Sequence, residues 1–474
     1  MLINSPELFG IPNHMIMDPV HGGIQFFEHE RRVISHPLFQ RLRHIRQNDV
    51  LQFVFPGAVH SRFEHSIGAM HIAGRLFKSM IRGYIKDKSI KELNKEQIDA
   101  IQYCYGCLRL AALLHDVGHM PFSHQFEVAS DEIGLFDEEG VRDLFNDSES
   151  DTLFGQSIDK ITHEHYSILI SNNILKSVDL PFEAYDIIGM MENGFPNPSE
   201  KFIKSAVNTI SLFTPNVCNI DKGLMRDYAD KVRSFFKDII SGEIDVDKMD
   251  YLLRDSYFTG CNYGSYNLDH LIKNIVLGYD DKWVGIALRK KGIGALEDFV
   301  YSRFRMYLQV YGHKTVVGLK WLLKMALIEM IKSDKYQGCV RETLQDMDKL
   351  AHFTDTFFWE GFREFAGEHP LSACADMVSR NNLSHIAALE RMAPFELENR
   401  IDSLSNAANK ELFYDECASK FSQIDSEFEK VRILVNDLEE GKKLEPVANH
   451  SIFFDKFEKV IVTHVYVRPD WYIK

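Results

Sequence analysis

Apolar residues recur at three- and four-residue intervals along most of the chain, which is the pattern of amphipathic α-helices. The N-terminal segment 14–27 differs, because Pro and paired Gly interrupt its apolar runs, and it predicts a short hairpin. At the other end, VIVTHVYV predicts a strand over 460–467. We therefore expect a mainly α protein, a helical bundle with a short N-terminal hairpin and a few minor strands. The spacing predicts helices over 60–82, 97–117, 163–175, 201–213, 224–240 and 294–332.

The pattern changes near residue 335, after which the chain is helical, charged and less punctuated. We expect one domain over 1–335 and a mostly helical region over 336–474 that takes part in assembly. Between Gly134 and Lys160 an acidic stretch lacks periodicity, which predicts a solvated loop. A lid over a binding site is the alternative interpretation of that stretch.

Composition narrows the class of protein. The chain has 474 residues, of which 45% are hydrophobic and 26% charged, as in soluble globular proteins. Seven cysteines, an odd number without pair-like spacing, favour a reducing compartment. No signal peptide and no apolar run of about 18 residues is present, so we expect a cytoplasmic protein without a membrane partner.

The net charge of −15 argues against a non-specific nucleic-acid binder, though it does not exclude nucleic acid. A protein this acidic that binds phosphate must concentrate its cations, or a metal, at one place.

Candidate chemistry concentrates in the run LAALLHDVGHMPFSH, residues 110–124. At about 100° per residue, His115, Asp116 and His119 lie within one 100° arc of a helix, and leucines occupy the opposite side. Gly118 and Pro121 are expected to end this helix. Imidazole and carboxylate groups at one helix end suit a divalent metal ion.

Other segments also place polar residues on one helix face. In HSRFEHS (60–66) Arg62 and His65 are three residues apart, and in SRFRMYLQVYGHK (302–314) an arginine and two tyrosines recur every four residues. Each segment alone is typical of a helix lying on a core. The occurrence of these segments together in one chain favours a metal-binding or catalytic site. In DVDKMDYLLRD (245–255) one arc holds Asp247, Lys248, Tyr251 and Asp255.

The phrases HSRFEHS, LLHDVGHMPFSH and DVDKMDYLLRD, in this order, resemble the signature of HD-domain phosphohydrolases. The resemblance is greatest to the deoxynucleoside triphosphate triphosphohydrolase branch, with its sterile-alpha-motif-containing and bacterial members. The bare H…HD…D pattern is weakly specific, whereas the longer phrases are strongly specific and cover most of residues 15–315. Further matching phrases are DPVHGGI (18–24), FQRLRHIRQ (39–47), VFPGA (54–58) and THEH (162–165).

The resemblance implies a role for each matching position. Metal ligands would be His65, His115, Asp116 and Asp247. The catalytic group would comprise Asp116 with His163, the expected general acid, and His119, which lies with His124 beside the phosphate path. Residues gripping the triphosphate would be Arg62, Lys248, Tyr251 and Arg303. Residues around the sugar would be Gln47, Asp255 and Tyr311.

The implied reaction is metal-assisted attack of water at the α-phosphorus, which releases deoxynucleoside and triphosphate. The residue types suit it, because arginines can fork onto phosphate oxygens and a histidine can protonate the departing 5′-oxygen. The implied cofactor is one divalent metal ion, and two His with two Asp do not distinguish Mg, Mn, Fe, Ni, Co and Zn. A further Mg ion bound with the triphosphate is compatible with this site.

Some positions depart from the family pattern. Asn48 and Gly312 replace an apolar residue and a glutamine beside the sugar, which leaves base preference and discrimination against a 2′-hydroxyl open. At the guanine-nucleotide activator site His14 and Ser35 replace a lysine and an aspartate. Gln40 and Arg43 of that site are retained, so a nucleotide effector stays open. The resemblance also implies a homo-oligomer.

Alternatives remain at this point. One is an HD phosphohydrolase for another nucleotide, although the GYP motif of cyclic-dinucleotide enzymes is absent. Another is a regulatory or nucleic-acid-binding protein with a structural HD site, which would not need the cations Arg62, Lys248 and Arg303. An HD oxygenase, with a dinuclear iron centre, is the most distant alternative.

Overall fold

The fold is mainly α, as the sequence pattern predicts. Among the residues described, no helix is long and apolar enough to cross a membrane. The computed structural model describes residues 6–87, 90, 92–145, 153–154, 158–191, 198–212, 222–279, 284–390, 392, 394–408, 412–419, 431–435, 444–455 and 460–467.

The predicted N-terminal hairpin is confirmed. Strands β1 (His14–Asp18) and β2 (Gly22–Phe26) pair antiparallel, with Asp18 opposite Gly22. Gly22 has a φ of 73°, a backbone conformation that glycine adopts at no steric cost. The side chain of Asp18 accepts hydrogen bonds from the amides of Val20 and His21, which closes the turn.

Long helices form the centre of the molecule. The longest of the described helices, α3 (Arg62–Asp87), packs on α4 (Lys95–Leu114) and on α10 (Val246–Thr259), while α4 also packs on α8 (Glu200–Ser211). Every residue of α4 from Tyr103 onwards is buried, so this helix runs through the core. The helices up to residue 331 are α1 (Glu28–Ile34), α2 (Pro37–Gln40), α3 (Arg62–Asp87), α4 (Lys95–Leu114), α5 (His124–Ile133), α6 (His163–Ser177), α7 (Ala184–Ile188), α8 (Glu200–Ser211), α9 (Lys222–Ser241), α10 (Val246–Thr259), α11 (Leu268–Asn274), α12 (Ile293–Met306) and α13 (Lys314–Ile331).

Helix α4 ends at Leu114, three residues earlier than the pattern predicts. The physical reason is the close approach of Gly118 to α6. A Cβ atom at Gly118 would lie 2.1 Å from the amide nitrogen of Ser167, and the Gly118 amide donates to the Ser167 hydroxyl at 2.9 Å. The chain therefore leaves the helix, and His115 and Asp116 follow it in a turn.

The single helix predicted over 294–332 is also interrupted. A π-helical turn, Tyr307–Tyr311, follows α12, and the Gly312 amide donates to the Tyr307 carbonyl at 2.7 Å. Helix α13 begins only at Lys314. Such turns are frequent at functional sites.

The region after 333 contains both helices and strands. The strand predicted over 460–467 is confirmed as β9 (Val460–Val467). It lies between β5 (Ser384–Glu390) and β6 (Leu412–Ser419) in a sheet of the order β5–β9–β6. A second sheet has the order β3–β4–β7–β8, with β3 (Ile275–Tyr279) and β4 (Val284–Arg289) coming from the earlier part of the chain. The later elements are α14 (Asp334–Leu344), α15 (Met347–Leu350), α16 (Asp355–Glu368), α17 (Ala373–Ser379), β5 (Ser384–Glu390), α18 (Pro394–Ala408), β6 (Leu412–Ser419), β7 (Arg432–Leu434), β8 (Leu444–Pro446), α19 (Ile452–Asp455) and β9 (Val460–Val467).

Contacts cross the position where we predicted a domain boundary. The rings of Phe126 and Phe353 lie 5.7 Å apart, and those of Phe122 and Phe362 lie 6.1 Å apart. The boundary at 335 stays a prediction. The loop between Gly134 and Lys160 also remains a prediction, because 146–152 and 155–157 lie outside the described residues.

Candidate metal centre and active site

The four predicted metal ligands converge at one point. His65 lies in the first turn of α3, His115 and Asp116 directly follow α4, and Asp247 lies in the first turn of α10. Nε2 of His65 is 3.0 Å from Asp247 Oδ1 and 3.6 Å from Asp116 Oδ2. Nε2 of His115 is 3.4 Å from Asp116 Oδ1 and 3.7 Å from Asp247 Oδ1.

The donor set fits a metal ion. Nδ1 of His65 pairs with Asp250 at 2.9 Å, and Nδ1 of His115 pairs with the Ala112 carbonyl at 2.8 Å. Those bonds place the ring protons on Nδ1, so both Nε2 atoms present lone pairs. Both Nε2 atoms are buried and have no hydrogen-bond partner in the described chain. Lone pairs of two imidazoles and two carboxylates within 4.8 Å of one another could hold a cation.

The carboxylates of the cluster also create an environment that favours a positive charge. Burial opposes a charge on His65, but the carboxylates of Asp247 and Asp250 outweigh it and raise its pKa to about 10. For His115, Asp116 and Asp247 outweigh burial in the same way and raise its pKa. Burial opposes ionisation of Asp116 as well, yet His115, His119 and Arg62 hold its pKa well below the usual range.

A cavity of about 460 Å³ opens over this cluster. Asp116 and Asp247 line it, and His65, the other ligand on a helix, is fully buried. The predicted site residues outside the ligand set all line the cavity. They are Gln47, Arg62, His119, His124, His163, Lys248, Tyr251, Asp255, Arg303 and Tyr311.

Three histidines form one wall of the cavity. The rings of His119 and His163 stack with centroids 3.9 Å apart, and His124 meets both edge-on at 5.1 Å. Nδ1 of His163 pairs with Glu127 at 2.9 Å. Burial opposes a charge on His163, but Glu127 and Glu164 outweigh it and raise its pKa. Burial and Arg62 lower the pKa of His119 well below its usual value, so a neutral ring stacks on a readily protonated one.

The cations of the cavity differ in how they are paired. Arg62 donates to Asp116 and to the Ser123 hydroxyl, and Lys248 donates to Asp245 and to the Gly242 carbonyl. By contrast, Nε and Nη1 of Arg303 are buried without a hydrogen-bond partner among the described residues. A buried donor without a partner is costly, so these two nitrogens favour an anionic ligand.

Asp255 lines the cavity and pairs with two other side chains. Its Oδ1 pairs with His60 Nε2 at 2.7 Å, and its Oδ2 accepts from the Tyr311 hydroxyl at 2.5 Å. The π-helical turn brings Tyr311 to this position. Nearby, Gln47 Oε1 and Asn48 Nδ2 are buried without partners in the described structure. Polar groups of this kind suit a ligand with hydroxyl or amide edges.

Sequence reasoning missed several residues of the cavity and its surroundings. Glu127 follows His124 by three residues on α5, and that spacing could have indicated it. Nothing in the local pattern marks Lys320 or Glu164 as cavity residues, and nothing marks Asp250 as the partner of His65. Tyr307 lies on the predicted tyrosine stripe and also lines the cavity.

Comparisons with known proteins show which proteins this chain is similar to. Residues 62–180 match the HD domain family model. The chain is 30% identical over 390 residues, 76% of its length, to the deoxynucleoside triphosphate triphosphohydrolase SAMHD1 of Bos taurus. It is 29% identical over 362 residues to the Homo sapiens protein of that name and over 337 residues to an uncharacterised protein of Methanocaldococcus jannaschii, or 73% and 71% of this chain. The chain spans 58%, 50% and 53% of these three proteins in turn.

Solved structures show the same fold. A hypothetical protein from Aquifex aeolicus superposes with a TM-score of 0.62 at 23% identity, covering 96% of both chains. A phosphohydrolase from Bacteroides thetaiotaomicron gives the same TM-score at 19% identity, covering 96% of this chain and 100% of the other.

Proposed function

We propose that this chain, which carries an HD domain over residues 62–180, is a metal-dependent hydrolase that converts deoxynucleoside triphosphates into deoxynucleoside and triphosphate. One observation carries the proposal. The four-ligand cluster opens into a cavity lined by the cationic side chains of Arg62, Lys248, Arg303 and Lys320 and by the Asp255–Tyr311 pair. The substrate class follows the relatives named above, since the cavity itself supports a phosphorylated ligand with a polar sugar.

His65, His115, Asp116 and Asp247 would hold the metal ion. When bound, a divalent ion acts as a Lewis acid and lowers the pKa of a water molecule bound to it to about 7. The ligands are shared among three separate elements, so the helices α3, α4 and α10 must be packed before the site exists.

The cations bind and orient the triphosphate. Arg303 offers two unpaired guanidinium nitrogens, Nε and Nη1, whose N–H groups point to different sides of the guanidinium and can donate to separate phosphate oxygens. Lys248 acts as a point charge whose partner Asp245 fixes its direction. Tyr251 and Tyr307 lie in the same wall, and their hydroxyls can donate to phosphate oxygens.

His163 holds the proton for the leaving 5′-oxygen. Glu127 occupies its Nδ1, so Nε2 is the atom that can donate. That Nε2 lies 3.3 Å from the half-exposed carboxylate of Glu164, which a substrate can displace. The neutral ring of His119 stacks on His163 without repelling its positive charge.

Product analysis tests the proposed reaction. Purified protein with Mg or Mn is incubated with each deoxynucleoside and ribonucleoside triphosphate, and the products are separated by ion-exchange chromatography. Deoxynucleoside with intact triphosphate is the expected result. Monophosphate with pyrophosphate, or stepwise release of phosphate, would refute cleavage at the proposed bond. Absence of turnover, with and without other nucleotides as activators, would favour a regulatory protein.

Two variants distinguish the loss of the metal site from a general effect of substitution on the protein. Asp247→Ala removes a metal ligand, so bound metal and activity should fall together. Asp269→Ala is the matched control, because this carboxylate is exposed on α11 and pairs only with Arg75 among the described residues. An Asp247→Ala protein that keeps both its metal and its activity would contradict the ligand assignment.

A further inference from the structure

A second aspartate of α10 lies directly behind the metal ligand His65. Asp250 is fully buried and accepts hydrogen bonds from His65 Nδ1 at 2.9 Å and from His21 Nε2 at 2.7 Å. Nε and Nη2 of Arg254 donate to the same carboxylate at 2.8 and 2.9 Å. Four donors therefore surround one carboxylate, and one of them is the ring that carries a ligand nitrogen.

The network continues into the turn of the N-terminal hairpin. Nη1 of Arg254 donates to Asp18 Oδ2 at 2.7 Å. The other oxygen of Asp18 accepts from the amides of Val20 and His21, at 2.9 and 2.8 Å. The hairpin thus contacts Asp250 twice, once through the His21 ring and once through Arg254.

A glycine of α3 allows the Asp250–Arg254 pair to lie close to the helix backbone. Gly68 lies one turn after His65, and a Cβ atom there would be 1.9 Å from Asp250 Oδ1 and 2.5 Å from Arg254 Nη2. Only a residue without a side chain lets the Asp250–Arg254 pair approach the helix that carries His65.

We propose that Asp250 is a positioning residue of the metal centre, which fixes the His65 ring with Nε2 toward the metal, and that the hairpin turn holds Asp250 in place. The inference rests on the metal site of the proposed function. A carboxylate behind a ligand histidine fixes the ring orientation and raises the basicity of the coordinating nitrogen. Among the described residues, Nδ1 of His115 pairs with the Ala112 carbonyl rather than with a carboxylate, so the two imidazole ligands are not equivalent.

Asp250→Asn tests the role of this carboxylate. An amide has one acceptor oxygen, so it cannot accept from all four donors. Co²⁺ is titrated into the metal-free full chain in competition with a chromogenic chelator, and the d–d absorption bands are recorded. We expect Asp250→Asn to weaken Co²⁺ affinity by roughly 10- to 100-fold and to shift the bands.

Asp186→Asn is the matched control. Asp186 is also fully buried and accepts from the Tyr103 hydroxyl at 2.8 Å and from the Ser199 amide at 2.8 Å. Neither partner is a metal ligand. This variant should lose stability while it keeps the wild-type Co²⁺ affinity and spectrum, whereas a loss of affinity equal to that of Asp250→Asn would mark the effect as general destabilisation and overturn the inference.

The outcomes separate this inference from the proposed function. Wild-type protein that binds no Co²⁺ would overturn both. Wild-type binding with an unchanged Asp250→Asn affinity would overturn only the positioning role. If Asp250→Asn does not fold, His21→Phe decides, because phenylalanine has no N–H to donate, so this variant removes one hairpin contact and leaves the carboxylate. A smaller loss of Co²⁺ affinity supports the inference, and an unchanged affinity overturns it.

Discussion

At the scale of single residues, the proposed proton transfer depends on the pairing of His163 with Glu127. Burial alone would lower the pKa of His163, but the 2.9 Å contact with Glu127 and the nearby charge of Glu164 raise it. A general acid must be protonated to act, so activity should fall as pH rises through this raised pKa. The carboxylate behind the ring therefore extends activity toward alkaline pH.

Glu127→Gln tests this arrangement. Removing the negative charge destabilises the imidazolium, so the pKa of His163 falls. The alkaline limb of the kcat/KM profile should then move to lower pH, by roughly one unit. Glu164→Gln is the control and should shift the limb less, because Glu164 is half-exposed and its charge is screened. An alkaline limb that stays in place in Glu127→Gln would exclude His163 as the acid.

Residues differ in how far the sequence alone can reveal them. The predicted ligands and cavity residues stand in longer phrases that resemble a known family, and the structure brings them into one cluster and one cavity. Asp250 also stands in one of these phrases, but nothing in it marks His65 as the partner, because the two residues are 185 positions apart in the chain. The partnership of Asp255 with His60, 195 positions away, is equally invisible before the helices are packed.

At the scale of elements, the end of α4 depends on one glycine. Gly118 contacts the backbone of α6 at His163 and Ser167. This contact sets the distance between the turn that carries the ligands His115 and Asp116 and the helix that carries the predicted acid. The proposed metal ligands and the predicted acid are thus positioned relative to each other by a contact between two backbone segments.

Gly118→Ala should therefore harm both stability and catalysis. The added Cβ would lie 2.1 Å from the Ser167 nitrogen and 2.3 Å from the His163 carbonyl, so the two segments must move apart. We expect the free energy of unfolding to fall by about 1–3 kcal/mol and kcat to fall with it, as measured by denaturant unfolding and steady-state kinetics. Gly294→Ala is the control, since nothing among the described atoms lies within 4 Å of a Cβ there. Wild-type stability and kcat in Gly118→Ala would contradict the close approach.

Helical periodicity predicts where most helices lie but not where two of them stop. The apolar spacing of 97–117 continues past Leu114, yet the tertiary contact at Gly118 ends the helix. The spacing of 294–332 is likewise continuous, and the π-helical turn within it aligns Tyr311 with Asp255, a contact across 56 positions. Both departures occur beside the cavity, where tertiary contacts override local preference.

At the scale of the whole molecule, Asp355 joins the C-terminal region to the active-site side of the fold. This buried carboxylate at the start of α16 accepts from the amides of Arg46 and Phe122, both at 2.9 Å. Burial raises its pKa to about 7, whereas an aspartate of an unfolded chain has a pKa of about 3.9. Between these values the folded state binds the proton more tightly, so this contribution to stability is present at low pH and is lost as pH rises toward 7.

Asp355→Asn isolates this effect. Relative to the variant, the wild-type protein should lose about 2 kcal/mol of unfolding free energy between pH 5.5 and 7. Denaturant unfolding of both proteins at several pH values measures the difference. The exposed Asp269→Asn control should give a difference that does not vary with pH. A pH-independent difference for Asp355→Asn as well would show that Asp355 is ionised throughout.

The region after residue 380 shows how far the whole fold follows from the sequence. Its strand at 460–467 is rich enough in β-branched residues to be predicted, but β5 and β6 became evident only as the neighbours that pair with it. Short strands such as β7 and β8 have three residues each, too few for a periodic signal. The mainly α class was predictable, whereas sheet pairing between distant segments was not.

The most direct test of the proposed reaction is hydrolysis of a deoxynucleoside triphosphate in ¹⁸O-enriched water, followed by mass spectrometry of the products. Attack at the α-phosphorus predicts one ¹⁸O atom in the released triphosphate and none in the deoxynucleoside. Label in pyrophosphate or inorganic phosphate, with a nucleoside mono- or diphosphate as the other product, would contradict it.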